Sequence, residues 1–231
     1  MRAIHSFDFV TDSMVRGELT PHDCVIALSH RGTKNYTLQA LALARESKAP
    51  TCIVAGEERE SAASYADTHL STVPQERSSA HTVSLIGSLA TLVVAIEQVT
   101  GISDQRLSSA ILNVIEGAIA QEDAIQRLAA RLSTTTRHIW LVGAGTDVVV
   151  ARETALKIKE TSYIPAEEMS VEEMLHGTFQ CAEPQDLFIL LDTRGTGSER
   201  IATLREMAHT VGATVLSISN QQTSADGESE G

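Results

Sequence analysis

The turn Ser29-His30-Arg31-Gly32-Thr33-Lys34 places hydroxyls, two cations and a glycine between an apolar run and an amphipathic segment. Backbone N–H groups at such a turn, together with the positive end of a following helix, form a cradle for a phosphate. Arg31 and Lys34 can add charge-assisted contacts to it. The same residues also suit a turn that only starts a helix, with Thr33 or Lys34 at its cap. A second group spans Glu153, Lys157, Lys159, Glu160, Glu167, Glu172 and His176. By spacing alone, Glu153 and Lys157 form an i,i+4 surface pair and Glu160 caps an exposed face. His176, beside Gly177, reads as a structural or C-cap residue. A third candidate, Gly143-Ala144-Gly145, follows an apolar strand, but Val148 stands where a dinucleotide fingerprint needs its third glycine. That turn is expected to bring strand and helix close together and no more.

The elements that must position these residues are marked by an internal repeat. The stretch Val25–Thr33 returns, weakened, as Phe188–Thr196, and each copy runs from an apolar strand into Arg-Gly-Thr. Each copy leads through a helical segment (Leu38, Leu41, Ala42, Ala44; then Ile201, Leu204, Met207, Ala208) to a strand opening with threonine, Thr51 or Thr214. One offset of 163 residues superimposes both copies, as a tandem duplication of a strand–loop–helix–strand unit would. Strands are predicted at 3–9, 24–29, 51–55, 68–73, 138–143, 186–192 and 214–219. Helices are predicted at 34–47, 79–99, 104–118, 120–132, 147–162 and 198–211. Alternating strands and helices imply parallel pairing, in an α/β sandwich with helices on both faces.

The offset also shows gaps. Residues 1–100 form a first half without its opening strand and helix, and 138–219 a second half without its closing helix. A polar helical connector, 101–137, joins them, and the polar tail 220–231 is expected to be disordered. Helix 79–99 is apolar over much of its girth and should be buried or at an interface. A partner chain is expected to complete the incomplete repeats.

The 231 residues carry a net charge of -12. This argues against a nucleic-acid or anionic-membrane surface, and an anionic ligand would have to be drawn by a local pocket. Cys24, Cys52 and Cys181 show no metal spacing and read as thiols of a reducing compartment, with Cys24 and Cys52 in or beside buried strands. No N-terminal targeting segment is apparent and no apolar run reaches membrane-spanning length, so a cytoplasmic protein is expected.

Residues 153–164, Glu-Thr-Ala-Leu-Lys-Ile-Lys-Glu-Thr-Ser-Tyr-Ile, with His176-Gly177 following 16 residues after Glu160, carry a resemblance. They resemble the sugar isomerase (SIS) domain family, in particular the isomerase half of glucosamine-6-phosphate synthase. There a helix reads Glu-Gly-Ala-Leu-Lys-Leu-Lys-Glu-Ile-Ser-Tyr-Ile and is followed by Gly-Glu-Leu-Lys-His-Gly-Pro. The turn at 29–37 resembles the family's Ser-x-Ser-Gly-x-Thr phosphate loop. Residues 76–82, with Ser79, Ala80 and His81, resemble the stretch that lines its sugar pocket. The resemblance implies a three-layer αβα sandwich of tandem SIS-type repeats, here both incomplete. It implies a phosphorylated sugar as ligand, a homodimer, and neither metal nor organic cofactor. It further implies that Glu160 shuttles a proton between C1 and C2 of a hexose or hexosamine 6-phosphate, that His176 helps open the ring, and that Lys157 helps bind the substrate.

The departures are specific. Arg31 replaces a serine, Lys34 a threonine, His81 a serine, and Leu175 the lysine before His176. No counterpart of the family's opening glycine loop precedes Ser29. Neither the synthase's C-terminal lysine nor its glutaminase domain has a counterpart, so amide-driven amination is not expected. The altered loops and short repeats leave a second expectation open: a regulatory sugar-phosphate-binding module without turnover. The retained Glu160 and His176 favour an enzyme, a phosphosugar isomerase or one of deaminase type.

Overall fold

A computed structural model of the chain describes residues 2–56, 64–73, 76–101, 105–132, 135–193, 195, 197–219 and 224–226. The chain divides into two compact units, Met1–Ile111 and Leu112–Gly231.

The first unit opens with two short helices, α1 (Ser6–Thr11) and α2 (Ser13–Arg16), where the alternation of residues 3–9 predicts a strand. Local capping and tertiary packing decide this. His5 Nδ1 accepts from Phe7 N–H at 3.3 Å, and the Asp12 carboxylate accepts from Met14 and Val15 N–H at 2.8 and 3.2 Å. Phe9 is buried, and the Phe7 ring meets Tyr36 edge-on at 5.0 Å. β1 (Val25–Leu28), α3 (Asn35–Glu46), β2 (Thr51–Ala55), β3 (Thr68–Ser71) and α4 (Val83–Thr100) follow, near the bounds the patterning predicts. The three strands pair in parallel in the order β1-β2-β3. Leu41 of α3 packs with Ile53, Ala55 and Ala66 to make the core of this unit. Cys24 is exposed, against the expectation of a buried site, because it precedes an edge strand; burial pushes the Cys52 thiol up.

α4 corrects one expectation and sharpens another. Its 18 residues, of mean hydropathy 1.7, are long and apolar enough by length and composition to cross a membrane, although the sequence reading finds no such run. Scattered Ser, Gly and Thr residues mask a segment whose last turn alone bears a charge, Glu97. Only 6% of that window is fully buried, and Val83, Ile86, Leu89, Val94, Ile96 and Val99 are exposed, the last to 88%, while Leu85, Leu92 and Val93 are half-buried. An interface helix of a soluble protein presents the same face.

α5 (Gln105–Ile119) and α6 (Glu122–Leu132) precede the second unit's sheet. That sheet is built from β4 (Ile139–Gly143), α7 (Asp147–Ser162), β5 (Ala166–Ser170), α8 (Val171–Leu175), β6 (Leu187–Asp192), α9 (Ser198–Val211), β7 (Thr214–Ser219) and β8 (Ser224–Asp226). The strand order is β5-β4-β6-β7-β8, parallel except for β8. Trp140, Phe188 and Leu190 face α8 and α9 (Met174, Ile201, Leu204). Leu141, Ile189 and Leu191 face α7 (Ala151, Ala155). The result is a three-layer αβα arrangement.

The 163-residue offset holds in the structure. It carries Asn35, the start of α3, onto Ser198, the start of α9, and Thr51 onto Thr214, the starts of β2 and β7. It also carries Gly32 onto Gly195, and their φ values of 68° and 70° are alike. Both Arg-Gly-Thr copies therefore turn through a left-handed glycine. Arg194 and Thr196 lie outside the described residues.

Two strands have no sequence forecast. β5, Ala-Glu-Glu-Met-Ser, carries charges that an edge strand tolerates, and only Ala166 is buried. β8 pairs with β7 (Ser217 opposite Ser224) inside the stretch read as a disordered tail; residues 220–223 and 227–231 lie outside the described residues.

One buried polar cluster fixes the entry to β4. The Asp186 carboxylate accepts from Arg137 Nε and Nη2 at 2.9 Å each, from Trp140 Nε1 at 2.9 Å and from Glu183 N–H at 3.0 Å. Burial pushes this carboxyl up, but the Arg137, Trp140 and Glu183 hydrogen bonds outweigh burial and hold it below its ordinary value.

Candidate functional site

In the first unit, β1 ends where Ser29 N–H donates to Val54 O at 3.0 Å. The turn then tightens as Gly32 N–H donates to Ser29 Oγ at 3.0 Å. Gly32 has φ 68°, which residues with a Cβ rarely adopt, so the loop needs glycine at this position. Lys34 is the N-cap residue of α3 and its side chain makes no cap hydrogen bond, nor among the described residues does any other side chain cap that helix. Its first N–H groups are thus available to an anion, in line with the cradle reading. Arg31, Thr33 and Lys34 are exposed around the turn.

The segment before α4 meets this turn. His81 stacks on His30, with ring centroids 3.8 Å apart and planes 21° from parallel. His30 Nδ1 and Nε2 and His81 Nδ1 are covered and have no hydrogen-bond partner among the described residues. Burial, then the charges of His81 and Arg31, hold His30 below its ordinary value, and Glu76 opposes them. Ala80 is buried and Ser79 exposed, with Ala80 N–H on Ser78 Oγ at 3.2 Å.

Glu76 has a task that spacing does not reveal. Its carboxylate accepts from Thr82, Val83 and Ser84 N–H at 3.1, 3.2 and 3.0 Å and from Ser84 Oγ at 2.8 Å, capping α4. Burial alone would raise this carboxyl, but the Ser84, Val83 and Thr82 hydrogen bonds win and bring it down to about 2. Glu76→Ala should cost about 0.5–2 kcal/mol, as the loss of a helix cap does, measured by urea unfolding at neutral pH. Because the folded-state value is depressed, this contribution should be full above the ordinary carboxyl value. It should fade as pH falls toward about 2.

In the second unit, β4 runs into Gly143. A Cβ there would come within 2.8 Å of the Asp147 carbonyl carbon, so glycine lets α7 start directly against the strand end. Asp147 then accepts from Thr193 N–H at 2.9 Å and Thr193 Oγ1 at 2.6 Å, tying this turn to the one after β6. On α7, Lys157 Nζ sits 3.3 Å from Glu153 Oε1 and 3.0 Å from Glu160 Oε2. Burial would lower Lys157, but the Glu160 and Glu153 carboxylates outweigh it and raise it, so the lysine stays charged.

His176 is placed by α8. Ser170 and Glu173 form a reciprocal capping box at its start, and His176 is its C-cap residue, donating its N–H to Glu172 O at 2.9 Å. The imidazole is 74% exposed, with Nε2 3.1 Å from Glu172 Oε2. Glu172 is in turn gripped by Arg200. The structure thus brings Glu160 to Lys157 and His176 to Glu172. Among the described residues no hydrogen bond or ion pair joins Glu160 to His176. Glu172 stands in i,i+4 register with His176, but Arg200, 28 residues from Glu172, carries no short-range signal as the group that grips it.

The SIS domain model matches residues 7–98 and 134–228, most of the chain and both copies of the repeat. The chain belongs to the SIS domain family. It is 28% identical over 210 residues to a glutamine–fructose-6-phosphate aminotransferase (isomerizing) of Thermococcus kodakarensis, covering 86% of this chain and 35% of that protein. A relative of the same name from Streptococcus pyogenes is 32% identical over 122 residues, 52% of this chain and 20% of that one. The chain thus spans about a third or less of the length of these relatives. Among solved structures it is similar to tagatose-6-phosphate ketose/aldose isomerase from Escherichia coli (TM-score 0.74, 19% identity, 93% of this chain and 62% of that one). It is also similar to glucosamine-6-phosphate deaminase from Thermotoga maritima (TM-score 0.70, 19% identity, 94% and 70%). Likenesses at this identity show the fold.

Proposed function

We propose that this SIS domain protein is a cytoplasmic phosphosugar isomerase that moves a proton between C1 and C2 of a hexose or hexosamine 6-phosphate, as a homodimer. The observation that carries this reading is the turn at Ser29–Lys34: a left-handed Gly32 and an α3 N-terminus without a side-chain cap among the described residues, flanked by Arg31 and Lys34, in a chain of net charge -12. Ser29, His30, Gly32 and Thr33 shape the phosphate cradle, and Ser79, Ala80 and His81 line the sugar. Glu160 acts as the base, Lys157 holds it and the substrate by charge, and His176 helps open the ring. A carboxylate can shuttle a proton across an enediol without metal or organic cofactor. Relatives bearing names of fructose-6-phosphate and tagatose-6-phosphate chemistry support the substrate class.

Replacing Arg31 or Lys34 by alanine should weaken fructose 6-phosphate binding by about 1.5–3 kcal/mol, the value of one charge-assisted contact. Calorimetric titration checks this, and unchanged affinity in both variants would remove the turn from the site. The exposed apolar residues of α4 support the dimer, and light scattering at micromolar concentration should give twice the chain mass.

One feature favours the alternative, a regulatory sugar-phosphate-binding module. His176 is exposed and already engaged by Glu172, an arrangement that a residual surface residue would also show. Turnover separates the two readings.

A further inference from the structure

We propose that the stacked pair His30–His81 makes the phosphate turn selective for a dianionic monoester and couples its binding to uptake of one proton from solvent. The inference rests on the phosphate-turn reading and adds to it a proton and a charge requirement.

The geometry is that of a pair waiting for a partner. Two imidazoles lie 3.8 Å apart and nearly parallel, and three of their four nitrogens are covered without any hydrogen-bond partner among the described residues. Covered polar atoms are almost always satisfied in folded proteins, so an unsatisfied set at the mouth of an anion cradle points to a ligand that completes it. Two positive charges at such a separation repel strongly even in the high effective dielectric near a protein surface, so around neutral pH the pair holds at most one proton.

The surroundings decide when that proton is present. Arg31 and Lys34 face His30 from its own loop, and His81 and Glu76 from the segment before α4. Among the described residues Glu76 is the one carboxylate facing His30, and its oxygens are already engaged by the N-terminus of α4. With the cradle empty, burial and the neighbouring cations therefore keep His30 neutral. A phosphate dianion in the turn offsets Arg31 and Lys34 and adds its own attraction. An opposite charge at this range typically raises an imidazole by about 1–3 pH units. One imidazole then takes a proton and donates to a phosphate oxygen; His81, where the family pattern has a serine, is what makes a charged donor possible here. A monoanion supplies half the field and would not hold the proton.

The linkage sign follows. The ligand-bound value lies above the free one, so affinity should strengthen as pH falls between them, by at most about tenfold per pH unit, and weaken again below about pH 6, where the ester itself becomes a monoanion. Above about pH 7 the phosphate ester is already a dianion, so the proton is the protein's. The test is calorimetric titration of the full chain with fructose 6-phosphate near pH 7.5, in buffers of different ionisation enthalpy. Fructose 6-sulfate, a monoanion of the same shape, serves as the second ligand. The expected result is uptake approaching one proton per phosphate ester bound and at least about tenfold weaker binding of the sulfate with no uptake. The double variant His30→Gln/His81→Ser should bind the phosphate ester more weakly and without uptake. No uptake by the parent chain, or equal affinity for both esters, overturns the inference while leaving the phosphate turn in place, and needs no variant to fold. Uptake that persists in the double variant overturns its assignment to the pair. Failure of the parent to bind either ester would instead remove the phosphate reading itself, and this inference with it.

Discussion

Glu160→Gln should abolish proton transfer while leaving fructose 6-phosphate binding nearly intact. The amide keeps the shape of the carboxylate and can still accept from Lys157 Nζ, now 3.0 Å away, but it cannot take a proton from carbon. A positioned base contributes about 10²–10⁴-fold to rate, so the isomerisation rate should fall by at least that factor with KM little changed. The neighbouring substitution Lys157→Met gives a contrasting pattern. It removes the cation that both Glu153 and Glu160 hold, and should raise KM as well as lower kcat. Steady-state kinetics on both variants separates base from binder. A Glu160→Gln enzyme with parental kcat would remove Glu160 from the reaction.

The second large effect is on stability. Asp186→Ala leaves the buried Trp140 indole N–H and the Glu183 N–H without their acceptor and releases the Arg137 guanidinium. The buried Trp140 donor left unsatisfied costs about 1–3 kcal/mol and the half-buried Glu183 N–H and the lost Arg137 pair add less, so urea unfolding should show a loss of about 2–5 kcal/mol. Asp186 is held below its ordinary value by Arg137, Trp140 and Glu183 against burial. Its contribution is therefore present above the ordinary carboxylate value and lost as pH falls through the depressed one. The difference between parent and variant should shrink in acid, and a difference that stays constant with pH would contradict the charge account.

Much of this molecule is legible in its sequence because the signals are local. The repeat offset finds the starts of α3 and α9 and of β2 and β7, and it anticipates the shared turn whose glycines, Gly32 and Gly195, are both left-handed. The i,i+4 spacing finds the Glu153–Lys157 pair. What escapes depends on contacts distant in sequence. Residues 3–9 alternate like a strand, yet the aromatic contact of Phe7 with Tyr36 and the burial of Phe9 favour a helix. β5 is too acidic to read as a strand and forms because β4 offers an open edge. His30 and His81 each fall in a stretch whose pattern is read as lining a ligand, but nothing pairs them with one another, since 51 residues separate them and no periodicity links them. Glu76 lies in a motif that suggests a sugar pocket, and the structure gives its carboxylate to the cap of α4.

The central claim is that this chain turns over a phosphosugar, and C2 deuterium exchange tests it most directly. Hexose and hexosamine 6-phosphates are incubated with the parent protein in D₂O and followed by NMR. Isomerisation through Glu160 predicts loss of the C2 proton signal on at least one of them, with no loss in the Glu160→Gln variant. A parent chain that binds a hexose 6-phosphate yet exchanges no C2 proton on any would contradict the isomerase and leave the binding module in its place.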